Sequence, residues 1–205
     1  MGIATGARRE HADSETGPYV HPAALCESTH VGPGTRVWAF AHILSGAVVG
    51  SDCNICDHVF VEGGVRIGDG VTVKNRVLLF DGVTVEDEVF LGPGVTFTND
   101  LRPRAHISRS GESLSSTLIR RGATLGAGVV VVCGVTVGES SFVGAGAVVN
   151  RDVPRHAFVV GNPARQIGWV CRCGARLAED LTCECGVAHE LRDDGVYPSA
   201  TPLRP

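Results

Sequence analysis

The chain has 205 residues, of which 43 % are hydrophobic, 20 % charged and 5 % aromatic, and its formal net charge is −4. This length is enough for one domain with an appendage. The negative charge disfavours a nucleic-acid partner, and no apolar stretch approaches the roughly 18 residues that a membrane span needs. A polar N-terminal tail, 1–18, lacks the apolar core of a signal peptide, which favours a cytoplasmic protein with reduced thiols.

Hydrophobic residues recur at every sixth position through most of the chain. The first series runs without a miss from Leu25 to Phe97, and the chance of this is on the order of 10⁻⁵ at the observed composition. A second series runs from Ile119 to Val149. A helix would show a period of 3.6 and an ordinary strand a period of 2. A period of six predicts an all-β fold, a parallel β-helix in which three hexapeptides make one triangular coil.

A longer step interrupts this repeat between Phe97 and Ile119. The two residues are 22 positions apart where one repeat would need 6, which leaves 16 residues in excess, and these lie within a predicted inserted loop, 98–117. Long excursions from a rigid scaffold are usually functional or disordered. The inserted loop is rich in Arg, His and Asn, which favours a functional loop over a tolerated surface insertion.

Four cysteines form two close pairs near the C-terminus, with nine residues between the pairs and a glycine after each pair. Paired thiolates are typical of a structural Zn²⁺ ribbon, although each pair here encloses one residue and not the usual two to four. Metal-free thiols and disulfides are the alternatives. A module this short needs a bound metal or a disulfide to stabilise its fold. A four-thiolate zinc site has no open coordination position for catalysis. The predicted ligands are Cys171, Cys173, Cys183 and Cys185.

The hexapeptide run is typical of the left-handed parallel β-helix of the hexapeptide acyltransferases, which we expect over 19–167, followed by a zinc-ribbon-like module and tail over 168–205. Further segments resemble one subfamily, the nucleotide-sugar 3-N-acetyltransferases, which act on UDP-2-acetamido-3-amino-2,3-dideoxyglucuronate or on dTDP-3-amino-3,6-dideoxyhexoses. These segments are "RVWAFAHIL" (36–44), "VKNRV" (73–77), "VFLGPGVTFTND" (89–100), "LRPRAHISR" (101–109), "RRGATLGAGVVVVCGVTVGESSFVGAGAVV" (120–149) and "VVGNPARQIGWV" (159–170).

The resemblance implies transfer of an acetyl group from acetyl-CoA to the amino group of a nucleotide-linked sugar, in a homotrimer with active sites between subunits. It points to Asn99 as a catalytic residue, and Asp81, one coil earlier, should stack beneath it. A mutual hydrogen bond that only caps the loop is the alternative. His42 matches the retained His of the subfamily and would suit a base, whereas a surface or interface His is the alternative.

The remaining candidates are cations and small residues. Guanidinium groups suit the phosphates of a nucleotide sugar, although solvated loop charge is the alternative. Small residues on the later coils leave room for a pantetheine arm, although the corners of the fold alone would explain most of them. The substrate-binding candidates are Lys74, Asn75, Arg76, Arg102, Arg104, His106 and Arg109. The acetyl-CoA candidates are Gly126, Ala127, Gly144, Ala145 and, by resemblance, Arg120, Arg121 and Arg165.

Two other functions fit parts of this pattern, and a third does not. An O-acetyltransferase acting on a sugar hydroxyl would need a firm base, because a hydroxyl is the weaker nucleophile. A non-catalytic β-helix could serve as a scaffold or sugar-binding subunit. A carbonic anhydrase of the γ type needs three His around an open zinc, and no His-x₄-His pair occurs in the repeats.

Overall fold

A computed structural model describes residues 17–107 and 114–199. In these ranges all regular structure is β, so the described chain contains no helix able to cross a membrane. Successive two-residue strands fall on three parallel sheets in turn, here named A, B and C, which form the three sides of a prism. The parallel β-helix predicted from the period of six is therefore confirmed.

Each sheet gathers every third strand. Sheet A contains Tyr19–Val20, Arg36–Val37, Asn54–Ile55, Thr72–Val73, Phe90–Leu91, Thr124–Leu125, Phe142–Val143, Ala157–Val160 and the antiparallel Arg165–Trp169. Sheet B contains Leu25–Cys26, His42–Ile43, Phe60–Val61, Leu78–Leu79, Thr96–Phe97, Val130–Val131 and Val148–Val149. Sheet C contains Val48–Val49, Arg66–Ile67, Val83–Val85, Thr117–Ile119 and Thr136–Val137. A separate hairpin pairs His189–Arg192 with Gly195–Pro198.

The core is a column of aliphatic side chains along the axis of the prism. From Val37 to Val149 the second residue of each two-residue strand points inward, and the residues of the six-residue series are at most 3 % exposed. Ile55 stands opposite Val73, three hexapeptides later, as one coil requires. Burying each such side chain contributes about 1.5–3 kcal/mol to the stability of the fold. The period of six in the sequence therefore marks the positions that are buried.

The first coil departs from the predicted phase. Leu25 is 54 % exposed, and Cys26 stands opposite Ile43, so Cys26 takes the inward position. The series that starts at Leu25 is therefore wrong by one residue before Val31. The repeat between Cys26 and Val31 is one residue short, and the sequence concealed this because positions 25 and 26 are both apolar.

The inserted loop leaves sheet B and returns to sheet C. Phe97 stands opposite Val131, so the separation of these partners is one coil plus the predicted excess. Ser115 N donates to Asn99 O at 2.9 Å and closes the base of the loop. Thr117 is 2 % exposed and begins a strand of sheet C. The loop thus ends at residue 116, one residue before the predicted boundary.

The last segment folds back onto the end of the β-helix. The strand Arg165–Trp169 pairs antiparallel with Ala157–Val160, and the division at 168 remains a prediction. His156 is buried beneath this segment, where its Nδ1 donates to Val170 O at 2.8 Å. Its ring lies 5.5 Å from that of His189, whose two buried ring nitrogens have no hydrogen-bond partner among the described residues.

This buried imidazole predicts a pH dependence of stability. Burial lowers the pKa of His156, with Arg155 and His189 adding to the effect, whereas the hydrogen bond to Val170 O and the charge of Glu139 oppose it. The unfolded chain therefore binds a proton at a higher pH, near 6.5, and the free energy of unfolding falls as pH drops below that value. We expect a lower urea midpoint at pH 5.5 than at 7.5. His156→Asn cannot titrate and should show a smaller drop, whereas an equal drop in both proteins would contradict this role.

Candidate active site

The predicted site residues lie on different corners of the prism. Corner AB, between strands of sheets A and B, carries 74–76 and the small residues at 126–127 and 144–145. Corner BC carries Asp81, Asn99 and the inserted loop, and corner CA carries 120–121. Each corner is a full sheet width from the next, so a single chain does not gather these groups into one pocket.

Asn99 lies at corner BC, where the loop begins. Its backbone oxygen is held by Ser115, and the neighbouring Thr98 Oγ1 accepts a hydrogen bond from Cys133 N of the next coil at 3.0 Å. Within the ranges that the structure describes, the half-buried side-chain amide has no hydrogen-bond partner. A fixed amide with free donors and a free acceptor is suited to contact a ligand.

Asp81 lies one coil before Asn99 at the same corner, as counting by whole coils predicts. A Cβ added at Gly64 would lie 1.6 Å from Asp81 Oδ1. The Asp81 carboxylate therefore lies over Gly64, on the side away from Asn99. The backbone N of Asp81 donates to Glu62 Oε2 at 2.6 Å. The described residues contain no Asp81–Asn99 hydrogen bond, so the two do not simply cap the loop together. Their catalytic roles stay predictions.

His42 lies on the outer face of sheet B, far from Asn99. Its Nε2 donates to Glu27 Oε1 at 3.0 Å, and this bond is the largest cause that lowers the pKa of Glu27. Three strand steps separate His42 from the strand Thr96–Phe97, which is about 14 Å at the usual strand spacing. The two side chains of one chain therefore cannot contact the same reacting atom. No sequence signal pointed to Glu27, because the shortened first coil shifts its register.

The cations of corner AB, Lys74 and Arg76, lie on the outer surface of the prism. Asn75 Nδ2 donates to Asp57 Oδ2 at 3.1 Å, so this amide and this carboxylate engage each other. Lys74 and Arg76 form no ion pair among the described residues. Arg76 is exposed and Lys74 is half-buried. Two unpaired cations separated by one residue suit a phosphate-bearing ligand.

The predicted acetyl-CoA wall lies on later coils of corner AB. A Cβ added at Gly126 would lie 2.6 Å from Ala145 N, and one at Gly144 would lie 2.7 Å from Val160 Cγ1. Close stacking of the coils therefore explains these two glycines without a ligand. Ala127 O accepts a hydrogen bond from the next coil. Their part in binding acetyl-CoA stays a prediction.

The three arginines predicted to meet CoA phosphates are dispersed. Arg120 is exposed at corner CA, and its neighbour Arg121 forms an ion pair with Asp87. Arg165 begins the last strand of sheet A and donates from Nη1 to Ala164 O at 2.9 Å. One chain does not bring the three together, and their roles remain predictions.

The loop candidates lie on exposed backbone. Arg102, Arg104 and His106 are all exposed, and Arg104 pairs with Ile107 in an isolated antiparallel bridge. Arg109 lies outside the described residues. The structure thus places three of the four loop candidates on the strip of chain that projects from corner BC.

The four tail cysteines come together as predicted. Their Sγ atoms all lie within 4.8 Å of one another. Two matching turns present them, with Gly174 N donating to Cys171 O and Gly186 N to Cys183 O, both at 2.9 Å. The Cys171–Cys185 and Cys173–Cys183 sulfur distances of 3.7 and 3.5 Å are close to the roughly 3.8 Å of a tetrahedral Zn–S site. The donor set and its geometry therefore fit zinc.

Comparisons with known proteins agree with this architecture. A family model described as bacterial transferase hexapeptide (six repeats) matches residues 28–63. The dTDP-3-amino-3,6-dideoxy-alpha-D-galactopyranose 3-N-acetyltransferase of Aneurinibacillus thermoaerophilus is 50 % identical over 178 residues, which are 85 % of this chain and 92 % of that protein.

Solved structures show the same fold. A hexapeptide-repeat acetyltransferase of Vibrio cholerae, complexed with acetyl coenzyme A, is 29 % identical with a TM-score of 0.50, over 60 % of this chain and 70 % of that chain. The acetyltransferase domain of PglB from Neisseria gonorrhoeae is 22 % identical with a TM-score of 0.53, over 73 % of this chain and 57 % of that chain. On the identity and coverage of the Aneurinibacillus relative, the chain belongs to the hexapeptide-repeat nucleotide-sugar 3-N-acetyltransferases.

Proposed function

We propose that this protein transfers an acetyl group from acetyl-CoA to the 3-amino group of a nucleotide-linked amino sugar. The observation that carries the proposal is 50 % identity along 92 % of a dTDP-sugar 3-N-acetyltransferase, on a fold that reproduces the repeat of such enzymes. The amine nitrogen attacks the thioester carbon, the C–S bond breaks, and the proton lost by nitrogen balances the thiolate that leaves. Because an amine is a good nucleophile once neutral, orientation can supply much of the acceleration.

We propose that the enzyme is a homotrimer with sheet B facing the three-fold axis. The outer face of sheet B is mainly apolar, whereas that of sheet C carries Arg66, Thr84 and Thr136 beside Val48 and Leu118. An apolar sheet face is stabilised when another surface covers it, and closed three-fold symmetry covers all three copies equally. The half-buried apolar residues of this face are Leu44, Phe60, Leu78, Phe80, Val130, Val132 and Val148.

This arrangement would assemble the dispersed candidates. When three prisms present the same side to one axis, corner BC of each copy meets corner AB of its neighbour. Asn99 and the loop of one copy would then face the cations of 74–76 on the next. The amide of Asn99 would orient the amine or the developing oxyanion, and Arg76 together with the loop arginines would hold the diphosphate. Acetyl-CoA would run along the small residues of corner AB.

We further propose that the four tail thiolates bind one structural Zn²⁺. Burial raises the pKa of the Cys171 thiol to about 12, while a backbone hydrogen bond at Val187 lowers the pKa of Cys185 to about 7, and a bound cation would favour thiolate at all four positions. Such a site requires reduced thiols, which supports a cytoplasmic location.

The activity is tested by a thiol-release assay with acetyl-CoA and a panel of dTDP- and UDP-linked 3-amino sugars, with the matching 3-hydroxy sugars as controls. We expect CoA release with at least one amino sugar and none with its hydroxy counterpart. CoA release with the hydroxy sugars alone would favour O-acetyl transfer. No release with any acceptor would contradict the proposal and favour a scaffold.

A His42→Ala variant distinguishes N-acetyl from O-acetyl transfer, because only a hydroxyl acceptor needs a firm base. We expect His42→Ala to lower kcat less than about tenfold, because a neutral amine needs no strong base, whereas loss of a true general base costs roughly 10²–10⁴. The measurement is kcat at saturating amino sugar. A loss of a hundredfold or more, with the trimer intact, would restore His42 as a base.

A further inference from the structure

One column of residues at corner AB has left-handed backbone on six successive coils. Their φ angles lie between 59° and 71°. Glycine adopts this conformation freely, whereas a side chain makes it costly. From the N-terminal end the column reads Phe40, His58, Arg76, Gly94, Gly128 and Gly146.

The two halves of this column differ in character. Each glycine of the second half faces open space, since an added Cβ would meet nothing within 4 Å. The first half instead places three large side chains where glycine would be easiest. Corner CA, by contrast, alternates Gly34, Asp52, Gly70 and Glu88 at its left-handed positions. An unbroken run of costly conformations at one edge indicates a selected surface.

The first half of the column presents aromatic surface next to a cation. The rings of Phe40 and His58 are stacked, with centroids 5.0 Å apart and planes 14° apart, and Phe40 is 61 % exposed. Arg76 follows on the next coil with its guanidinium exposed, and Lys74 is two residues away. The nearby carboxylate of Asp57 is already engaged by Asn75.

The spacing of these groups suits a nucleoside diphosphate. Two coil steps separate Phe40 from Arg76, about 10 Å, which is comparable to the reach from a base to its second phosphate. Bases stack on aromatic rings, and a diphosphate binds guanidinium. One further step leads to Gly94, which is level with Asn99 along the axis, so in the proposed trimer the sugar amine and the thioester would meet between Gly94 and Asn99 of the neighbouring copy.

We propose that Phe40, His58 and Arg76 bind the nucleotide half of the sugar substrate, with the base packed against the two rings and the diphosphate on Arg76. The glycines that follow leave room for the acetyl donor. This assignment rests on the proposed function, since it takes the sugar nucleotide as the ligand. It makes the nucleotide, and not the sugar, the part of the substrate that these coils recognise.

Glycine substitutions test the column without straining the fold. Phe40→Gly and His58→Gly relieve the backbone cost, so we expect an unchanged or higher urea midpoint. We expect both to weaken binding of dTDP, measured by calorimetry on the full-length trimer, by roughly tenfold. Ser140→Gly is the matched control, because Ser140 has the same left-handed backbone, with φ of 53°, at corner CA. It should bind dTDP as the unaltered protein does.

Equal dTDP affinity in Phe40→Gly, His58→Gly and the control would overturn the assignment, as would a failure of the unaltered protein to bind either dTDP or UDP. Loss of the trimer with unchanged nucleotide affinity would overturn it too, and would make the rings a subunit contact. Because binding is measured without acetyl-CoA, column-dependent binding in a protein that transfers no acetyl group would support this inference and contradict the proposed activity.

Discussion

Replacing Asn99 by alanine is expected to lower kcat at least tenfold without loss of the trimer. The amide has no partner among the described residues, and its backbone is held by the closed base of the loop, so the substitution removes a free contact group and leaves the fold in place. One oriented donor to a developing oxyanion is worth roughly 10²–10³ in kcat. The measurement is steady-state turnover with the amino sugar identified in the acceptor panel, together with light scattering.

Asn150→Ala is the control for this variant. Asn150 is exposed at the end of a sheet B strand and has no hydrogen-bond partner among the described residues. We expect it to keep full turnover. Asn99→Asp keeps the size of the side chain but replaces the donor by a carboxylate, so it should be as impaired as the alanine variant. Unchanged kinetics in both Asn99 variants would remove this residue from the site.

Replacing Cys173 by serine is expected to abolish zinc binding and unfold the tail module. Binding of structural zinc supplies on the order of 10–16 kcal/mol in small zinc modules, and the segment between Cys171 and Cys183 has little apolar core of its own. Metal analysis should find about one zinc per chain in the unaltered protein and below about 0.2 in the variant. Limited proteolysis should then cut within the cysteine segment while the β-helix resists.

Cys26→Ser is the control here, because Cys26 lies in the first coil, far along the axis from the cluster. It should retain the metal. If protein purified without chelator carries no zinc, the cluster is a set of free thiols and the metal proposal fails. Retention of zinc by Cys173→Ser would instead show that the remaining three cysteines suffice with another ligand.

The period of six predicted most of the fold, because in a prism the inward position of each side chain follows from its own repeat and depends little on distant parts of the sequence. The length of the insertion followed from counting. The phase of the first coil did not, since Leu25 and Cys26 are both apolar and only strand pairing distinguishes them. A one-residue shortening of a repeat is therefore invisible where neighbouring positions are equally hydrophobic.

The site was harder to predict than the fold. Counting by whole coils placed Asp81 beneath Asn99 correctly, but the direction of its carboxylate depends on Gly64, whose missing side chain leaves the space that the carboxylate occupies. The partner of His42 depends on the same shortened coil. The cysteines were easier, because two matching turns bring the pairs together with local hydrogen bonds alone. A site that combines groups from different corners of neighbouring copies cannot be predicted from the fold of one chain.

The central claim is that each active site is shared by two copies of the chain, with Asn99 from one and Arg76 from its neighbour. It is tested by co-expressing Asn99→Ala and Arg76→Ala chains with different tags and purifying trimers that carry both tags. In every such mixed trimer one of the three interfaces has both residues intact, so kcat/KM should return to about one third of the unaltered value. Mixed trimers no more active than the two parent variants would contradict the shared site.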